Sequence, residues 1–262
     1  MNGLNIENPA FYVSAYIIIV TLVWPFMVLL ISVLTGQFQF FRNYLAKLGG
    51  KIFSSSKTKK QIAIETPVMG STTSQHRIAI FASGAGSNAQ KIIEHFKSST
   101  TVKIALIVCN KPQAGVLEIA KKEGIPALII EKESFFKGDA YVAQLQSSGV
   151  TFIVLAGFLW KVPQALISAY RNKIINIHPA LLPKYGGKGM YGSFVHQAVI
   201  EAGEKTSGIT IHYVDEHYDH GDVIFQAHCN ITKEDTPETL AQKVHHLEHK
   251  HFPSVIEAVL NK

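Results

Sequence analysis

Residues 174–187 read Ile-Ile-Asn-Ile-His-Pro-Ala-Leu-Leu-Pro-Lys-Tyr-Gly-Gly. The apolar start of this stretch, together with Lys173, predicts a short buried strand, and the prolines and glycines that follow exclude a helix directly after it. Asn176 and His178 are two residues apart, so a strand places both side chains on one face. A neutral amide beside a titratable ring suits acyl-transfer chemistry. For so short a pattern by itself, a structural histidine and a turn-capping asparagine remain an alternative interpretation.

Apolar β-type runs alternate with helical patterns on both sides of this stretch. Strands are predicted at residues 77–82, 102–109, 126–130, 150–156, 173–177, 208–214 and 223–229. Helices are predicted at residues 89–96, 114–123, 134–148, 193–202 and 236–260. This order predicts a Rossmann-like α/β fold, a mostly parallel twisted sheet with helices on both faces. Such sheets bind ligands at the carboxyl edge of their strands, where His178 would lie.

A glycine-rich turn follows the first of these strands. Residues 83–88 read Ser-Gly-Ala-Gly-Ser-Asn and lead into the predicted helix at 89–96. Free backbone N–H groups at a helix start attract phosphate, so an anion site is one interpretation. The turn lacks the third glycine of a dinucleotide fingerprint and the lysine of a P-loop. A simple tight turn without a ligand is therefore the other interpretation.

A polar loop at residues 215–222 carries several carboxylates and two histidines, with His212 just before it. Histidine and carboxylate side chains could form a metal cluster, although no His-x-x-x-His or cysteine pair sets a ligand face here. His245 and His249 have helical spacing but no nearby third ligand. We therefore predict no metal site. Instead, the loop would place one carboxylate beside His178, where it would raise the pKa of that histidine and relay protons.

Charge and cysteine content narrow the class of protein. The net charge is +6, but residues 1–76 hold six of the 25 basic and only two of the 19 acidic residues, so the rest is nearly balanced. No basic stripe indicates nucleic-acid binding. Two cysteines cannot build a disulfide framework, which favours a reducing compartment.

The N-terminal part has a different composition. Residues 11–34 contain no charged side chain, and their length at helical rise, about 36 Å, would span a bilayer. Residues 1–40 are thus predicted to contain a hydrophobic transmembrane helix, followed by a basic Ser/Thr/Lys-rich linker at 41–76 and the α/β domain at 77–262. The basic residues after the apolar run predict a cytoplasmic location for everything that follows. Translation from Met69 is the alternative, in which case the N-terminal segment is spurious.

Several of these stretches together resemble one family, the folate-dependent phosphoribosylglycinamide formyltransferases. The resemblance covers nearly all of residues 77–262. It is carried by Ser-Gly-Ala-Gly-Ser-Asn at 83–88, Leu-Ala-Gly-Phe at 155–158, Asn-Ile-His-Pro-Ala-Leu-Leu-Pro at 176–183, and Asp219 followed by Gly221. The Asn-x-His-Pro-x-Leu-Leu-Pro motif with the later aspartate is typical of formyl-folate transferases and hydrolases, and the Gly-Ser-Asn turn selects the glycinamide ribonucleotide branch.

The resemblance implies transfer of a formyl group from 10-formyltetrahydrofolate, a cosubstrate, to 5′-phosphoribosylglycinamide, with no tightly bound cofactor, no metal and only small-molecule partners. The implied catalytic residues are Asn176, His178 and Asp219. The implied ribonucleotide-binding residues are Gly86, Ser87, Asn88 and Glu248. The implied folate-binding residues are Leu159, Trp160, Lys161, Val162 and Asn176.

Two departures from the family concern folate contact. Some members carry an arginine near the position of Gly138, where this chain offers only Lys137, and the loop at 186–193 is longer than in some members.

Three other functions are alternatives to formyl transfer onto the ribonucleotide. A formyltetrahydrofolate hydrolase would use the same trio on water, but its regulatory domain does not match residues 1–76. A methionyl-tRNA formyltransferase would need a C-terminal extension and a basic surface. A membrane-tethered nucleotide-binding module without catalysis is the remaining alternative.

Overall fold

The structure is a computed structural model that describes residues 75–137 and 139–262. The predicted apolar segment at 11–34, nearly all of the predicted linker at 41–76, and Gly138 lie outside the described residues. In the part of the chain that is described, no helix is both long enough and apolar enough to cross a bilayer.

Seven strands of the described chain form a single sheet in the order β3-β2-β1-β4-β5-β6-β7. Their bounds are β1 His76–Ala82, β2 Val102–Cys109, β3 Ala127–Ile129, β4 Phe152–Leu155, β5 Ile174–His178, β6 Thr206–Tyr213 and β7 Val223–Asn230. The first five strands pair in parallel, and β6 and β7 complete the sheet as antiparallel strands. The predicted mostly parallel α/β sheet is therefore confirmed.

Seven helices are described. Their bounds are α1 Ser87–Phe96, α2 Gly115–Lys122, α3 Lys132–Phe136, α4 Ala140–Ser147, α5 Gln164–Ala169, α6 Ser193–Glu201 and α7 Pro237–Leu260. The single helix predicted at 134–148 is wrong, because the chain forms two helices there, with Lys137 and Asp139 between them in non-helical conformations. Helix α5 follows Pro163 and was not predicted.

Helices cover both faces of the sheet, as predicted. Alternate residues of β1 show this division, since Ile78 and Ile80 face one core and Ala79 and Phe81 face the other. The first core is formed with α1, α2 and α7, and the second with α3, α4 and α5. A central strand buried on both faces explains why the run from Ile78 to Ala82 is continuously apolar.

Helix α7 is the longest element and spans the first face. It begins at a capping box in which the Thr236 hydroxyl accepts from the Thr239 N–H and the Thr239 hydroxyl accepts from the Thr236 N–H. The helix continues through Pro253 without ending. Its contacts with α1 and α6 bring the middle of α7 to the carboxyl edge of the parallel strands.

Candidate active site

One cavity of about 710 Å³ opens at the carboxyl ends of β1, β4 and β5. This is the edge at which a parallel sheet with this topology binds its ligands. Every site residue predicted from the sequence contributes to the lining: Gly86, Ser87, Asn88, Leu159, Trp160, Lys161, Val162, Asn176, His178, Asp219 and Glu248. The fold thus brings together residues that are more than 160 positions apart in the chain.

The central pair of the cavity is His178 and Asp219. His178 ends β5, and Asp219 lies in the loop between β6 and β7 with a positive φ of 56°. The Asp219 Oδ2 atom lies 3.6 Å from Nδ1 of His178, and both side chains are largely buried. The predicted approach of a carboxylate from the polar loop to this histidine is therefore present in the structure.

The protonation of this pair depends on burial as well as on charge. Asp219 and the Tyr185 carbonyl act to raise the pKa of His178, as expected for the carboxylate. Burial outweighs both effects and leaves the pKa below its usual value, because transferring the imidazolium out of water is costly. Burial acts to raise the pKa of Asp219, yet the neighbouring rings of His212 and His178 and the Gly187 N–H together hold it below its usual value.

Hydrogen bonds define the resting form of His178. Its Nε2 donates to the backbone oxygen of Tyr185 over 2.7 Å, so Nε2 carries a proton. In the neutral ring Nδ1 is then bare and faces Asp219. His178 can therefore accept a proton at Nδ1, and the ionised carboxylate beside it would stabilise the resulting imidazolium.

Asn176 is oriented by a histidine that sequence reasoning did not assign to the site. Asn176 pairs directly with His212 across the antiparallel strands β5 and β6. Its Nδ2 lies 3.1 Å from Nε2 of His212, and Nδ1 of that ring lies 2.8 Å from the Tyr213 carbonyl. His212 therefore accepts one amide hydrogen and leaves the second available to a ligand. The alternation of apolar and polar residues in β6 places His212 on the polar face of that strand. Only the register of β6 against β5 identifies Asn176 as its partner.

The metal alternative for this loop finds no support. In the described ranges 75–137 and 139–262, no group of three histidine, cysteine or acidic residues is arranged to hold a metal ion. The ring nitrogens of His178 and His212 are instead engaged with backbone carbonyls, Asn176 and Asp219.

The glycine-rich turn forms the second part of the site. Gly86 has a φ of 85°, and a Cβ there would lie 2.8 Å from Cβ of Val116, so only glycine fits. Helix α1 begins at Ser87, and no side chain caps it. Its first turn contains no acidic residue. Uncapped N–H groups at the positive end of the helix dipole therefore face the cavity, which is the arrangement that binds phosphate.

A buried acidic group lies beside this turn. Asn88 Nδ2 donates to Oε2 of Glu248 on α7 over 2.9 Å, and Glu248 is only 5 % exposed. Burial raises the pKa of Glu248, and the bond from Asn88 offsets only part of that effect. Asn88 Oδ1 is buried and has no partner among the described residues. This group of acceptors would be satisfied by the hydroxyl donors of a sugar.

Aromatic side chains line another part of the cavity. The ring of Trp160 lies 6.3 Å from that of Phe158 and 5.7 Å from those of Phe135 and Phe136. Leu159 is 40 % exposed at the cavity mouth. An apolar, partly open surface of this kind suits a flat ring system.

Gly186 provides a test of the geometry around Asp219. A Cβ at this position would lie 2.5 Å from Cδ2 of Leu182 and 3.2 Å from Cβ of Asp219. We expect Gly186→Ala to displace the Asp219 carboxylate and to lower kcat by about tenfold to a hundredfold, because small misplacements of a reacting group cost that much. Steady-state kinetics measures this effect. The double variant Gly186→Ala/Leu182→Ala relieves the contact with Leu182 but keeps the one with Asp219, so its kcat should stay well below that of Leu182→Ala alone. Recovery to the level of Leu182→Ala would show that the loss came from Leu182 and not from displacement of Asp219.

Comparisons with known proteins point to one family. The formyl transferase family model matches residues 76–256. A phosphoribosylglycinamide formyltransferase of Bacillus subtilis (strain 168) is 42% identical over 189 residues, which cover 70% of this chain and 94% of the relative. The chloroplastic phosphoribosylglycinamide formyltransferase of Arabidopsis thaliana is 39% identical over 214 residues, or 79% of this chain and 73% of the relative.

A solved structure extends the agreement to the fold. The crystal structure of phosphoribosylglycinamide formyltransferase from Bacillus halodurans matches with a TM-score of 0.65 and 39% identity, and the match covers 71% of this chain and 96% of that one. The resemblance inferred from the motifs at 83–88, 155–158 and 176–183 is thereby confirmed. This chain belongs to the phosphoribosylglycinamide formyltransferase family.

Proposed function

We propose that this chain transfers the formyl group of 10-formyltetrahydrofolate to the amine of 5′-phosphoribosylglycinamide, a step of de novo purine (IMP) biosynthesis. The observation that carries the proposal is the 3.6 Å approach of Asp219 to His178 in the cavity that also contains the glycine-rich turn. The names of the relatives supply the substrate, because each is a phosphoribosylglycinamide formyltransferase.

The ribonucleotide would bind at the end of the cavity formed by α1 and α7. Its phosphate is assigned to the uncapped N–H groups after Gly86, with Ser87 and Asn88 at the first two helical positions. Its ribose hydroxyls are assigned to Glu248, whose carboxylate has one known partner, Asn88, and lies in the cavity lining. This orientation leads the glycinamide arm toward His178.

The folate would bind at the aromatic end, against Leu159, Trp160 and Val162. Lys161 also lines the cavity, and its Nζ lies 5.7 Å from the centre of the Tyr218 ring. A lysine at the cavity mouth would attract the carboxylates of a folate tail. In this proposal 10-formyltetrahydrofolate is a cosubstrate that enters and leaves in each turnover.

The chemistry is a transfer through a tetrahedral intermediate. The substrate amine attacks the formyl carbon, and the free N–H of Asn176 stabilises the oxyanion that forms. His178 accepts the amine proton at Nδ1, and Asp219 stabilises the imidazolium. The proton then passes to N10 of the folate as its bond to the formyl carbon breaks, which yields the formylated ribonucleotide and tetrahydrofolate. No covalent intermediate with the protein is required.

The cytoplasm is the proposed location of the catalytic domain. Cys109 and Cys229 are both free thiols, as expected for a reducing compartment. The protein would be attached to a membrane only if residues 11–34 insert as an anchor. The proposed partners are the two small-molecule substrates.

Ribonucleotide dependence tests the function directly. The purified protein is incubated with 10-formyltetrahydrofolate, with and without 5′-phosphoribosylglycinamide, and tetrahydrofolate, formate and the formylated ribonucleotide are measured. We expect tetrahydrofolate to form only when the ribonucleotide is present, in equal amounts with the formylated product. Formate release without ribonucleotide would identify a hydrolase, and ribonucleotide binding without any turnover would identify a non-catalytic module.

A further inference from the structure

One buried histidine of the cavity, His196, has no role in the chemistry described above. His196 lies on the buried face of α6, lines the cavity and is only 3 % exposed. Its Nδ1 is buried and has no hydrogen-bond partner in the part of the chain that the structure describes. An unpaired buried nitrogen destabilises the free protein, so stability alone does not explain a histidine here, and its other ring nitrogen is the candidate for a function.

The surroundings keep this ring neutral. Burial is the main cause, and the neighbouring imidazoles of His178 on β5 and His245 on α7 add to it, so that the pKa of His196 falls to about 4. A buried N–H without a partner is rarer than a buried acceptor without one, which assigns the proton to Nε2 rather than Nδ1. None of the hydrogen bonds described for residues 75–137 and 139–262 involves Nε2, and Nε2 is not among the fully buried atoms without a partner. Nε2 is therefore accessible, and because His196 lines the cavity we assign it as the ring nitrogen that reaches a ligand there.

His196 also occupies a defined place along the cavity. It is close enough to both His178 and His245 to respond to their charge, and His245 in turn influences Glu248. His196 is therefore a neighbour of the catalytic histidine, and it lines the same cavity as Glu248, the carboxylate assigned to the ribose. In glycinamide ribonucleotide, the group between the reactive amine and the ribose is the amide linkage.

We propose that His196 is a specificity-determining residue whose Nε2–H donates a hydrogen bond to the amide carbonyl of the glycinamide arm. The inference rests on the proposed function, since it takes the ribonucleotide as the ligand of this end of the cavity. A neutral donor suits this task better than a cation, because a second positive charge beside His178 would oppose the imidazolium formed during transfer. The bond is made equally in the ground state and the transition state, so it contributes to substrate affinity rather than to kcat.

Three substitutions separate this role from a structural one. His196→Phe keeps the ring shape and removes both nitrogens, His196→Gln places an amide N–H near the position of Nε2, and His196→Asn places one near Nδ1. We expect His196→Phe and His196→Asn to raise the KM and Kd for the ribonucleotide about tenfold, with kcat and the KM for formyl-folate unchanged. His196→Gln should stay within about threefold of the wild type.

Thermal stability provides a second readout, in which we expect His196→Phe to gain stability although it loses ribonucleotide affinity. Removing the unpaired nitrogen in His196→Phe should raise the Tm of the ligand-free protein by about 2–4 °C. His249→Phe is the matched control, because His249 also has a buried nitrogen without a described partner but does not line the cavity. That variant should raise the Tm without changing any KM.

The outcomes distinguish the two levels of the proposal. Wild-type protein that neither binds nor formylates the ribonucleotide would overturn the proposed function itself. A wild type that turns over normally, with His196→Phe unchanged in ribonucleotide KM, would overturn only the role of His196. Equal loss in His196→Phe and His196→Gln with a lowered Tm would assign His196 to packing, and rescue by His196→Asn instead of His196→Gln would overturn the assignment of Nε2.

Discussion

Replacing Asp219 with asparagine is expected to lower kcat by about 10²–10⁴-fold while the ribonucleotide still binds. The amide has the shape of the carboxylate and can still accept the Gly187 N–H, which reaches Oδ2 over 2.9 Å in the structure. What it lacks is the negative charge 3.6 Å from Nδ1 of His178. The imidazolium formed when His178 takes the amine proton then has no counter-charge in a buried site. Steady-state kinetics with a separate binding measurement of the ribonucleotide tests this result.

The pH profile of the same variant gives a prediction of defined sign. His178 acts as a base in its neutral form, and burial holds its pKa below the ordinary value of 6.5. For the wild type, kcat/KM should therefore show an acidic limb at that lowered pKa, below the separate limb of the substrate amine, which attacks in its neutral form and ordinarily has a pKa of about 8. Asp219 raises the pKa of His178, so its loss in Asp219→Asn should move the acidic limb to still lower pH. In the wild type, this acidic limb reports the titration of the coupled His178–Asp219 pair rather than of His178 alone.

Asp222→Asn is the matched control for this experiment. Asp222 belongs to the same loop, is exposed to solvent and does not line the cavity. The same change of charge at this position should leave kcat and the acidic limb unaltered. Near-normal turnover of Asp219→Asn, or an equal loss in both variants, would contradict the role given to Asp219.

The meeting of Asn176, His178 and the glycine-rich turn in one cavity could be predicted from the sequence because it depends on local rules. The two-residue spacing of Asn176 and His178 places them on one face of a strand wherever that strand lies. The glycine-rich turn after β1 and the end of β5 meet because all parallel strands of a sheet end at the same edge. Such arguments need only the type and order of the elements, which apolar runs and glycine or proline positions indicate well.

The energetics of the site could not be predicted in the same way. Whether the pKa of His178 rises or falls depends on how much water its ring loses, and burial is a property of the whole fold. The bond between Asn176 and His212 depends on the register of two antiparallel strands. The contact between Asn88 and Glu248 joins residues 160 positions apart. These features arise from tertiary packing, of which a single sequence carries no local trace.

Asn176→Ala is expected to lower kcat by about 10²–10³-fold, equivalent to about 2.7–4 kcal/mol of transition-state stabilisation. One hydrogen of its amide is bonded to Nε2 of His212, so the other remains for the oxyanion of the tetrahedral intermediate. Because the oxyanion exists only after the amine has attacked, the loss should appear in kcat, with the KM for both substrates nearly unchanged. Steady-state kinetics of the two substrates measures both quantities.

A variant of the supporting histidine distinguishes donation from positioning. His212→Ala leaves the Asn176 amide in place but frees it to rotate, so we expect a smaller loss of kcat, about tenfold. We expect partial recovery of kcat in His212→Gln, because its side-chain amide oxygen can accept the same hydrogen bond from Asn176. An oxyanion donor and the group that orients it act in one step, so the double variant Asn176→Ala/His212→Ala should be no slower than Asn176→Ala alone. If the two losses instead multiply, His212 acts through a group other than Asn176, and Asp219 is the candidate because its Oδ1 lies 3.6 Å from Nε2 of His212. A rise in KM with an unchanged kcat in Asn176→Ala would contradict the oxyanion role and assign Asn176 to substrate binding.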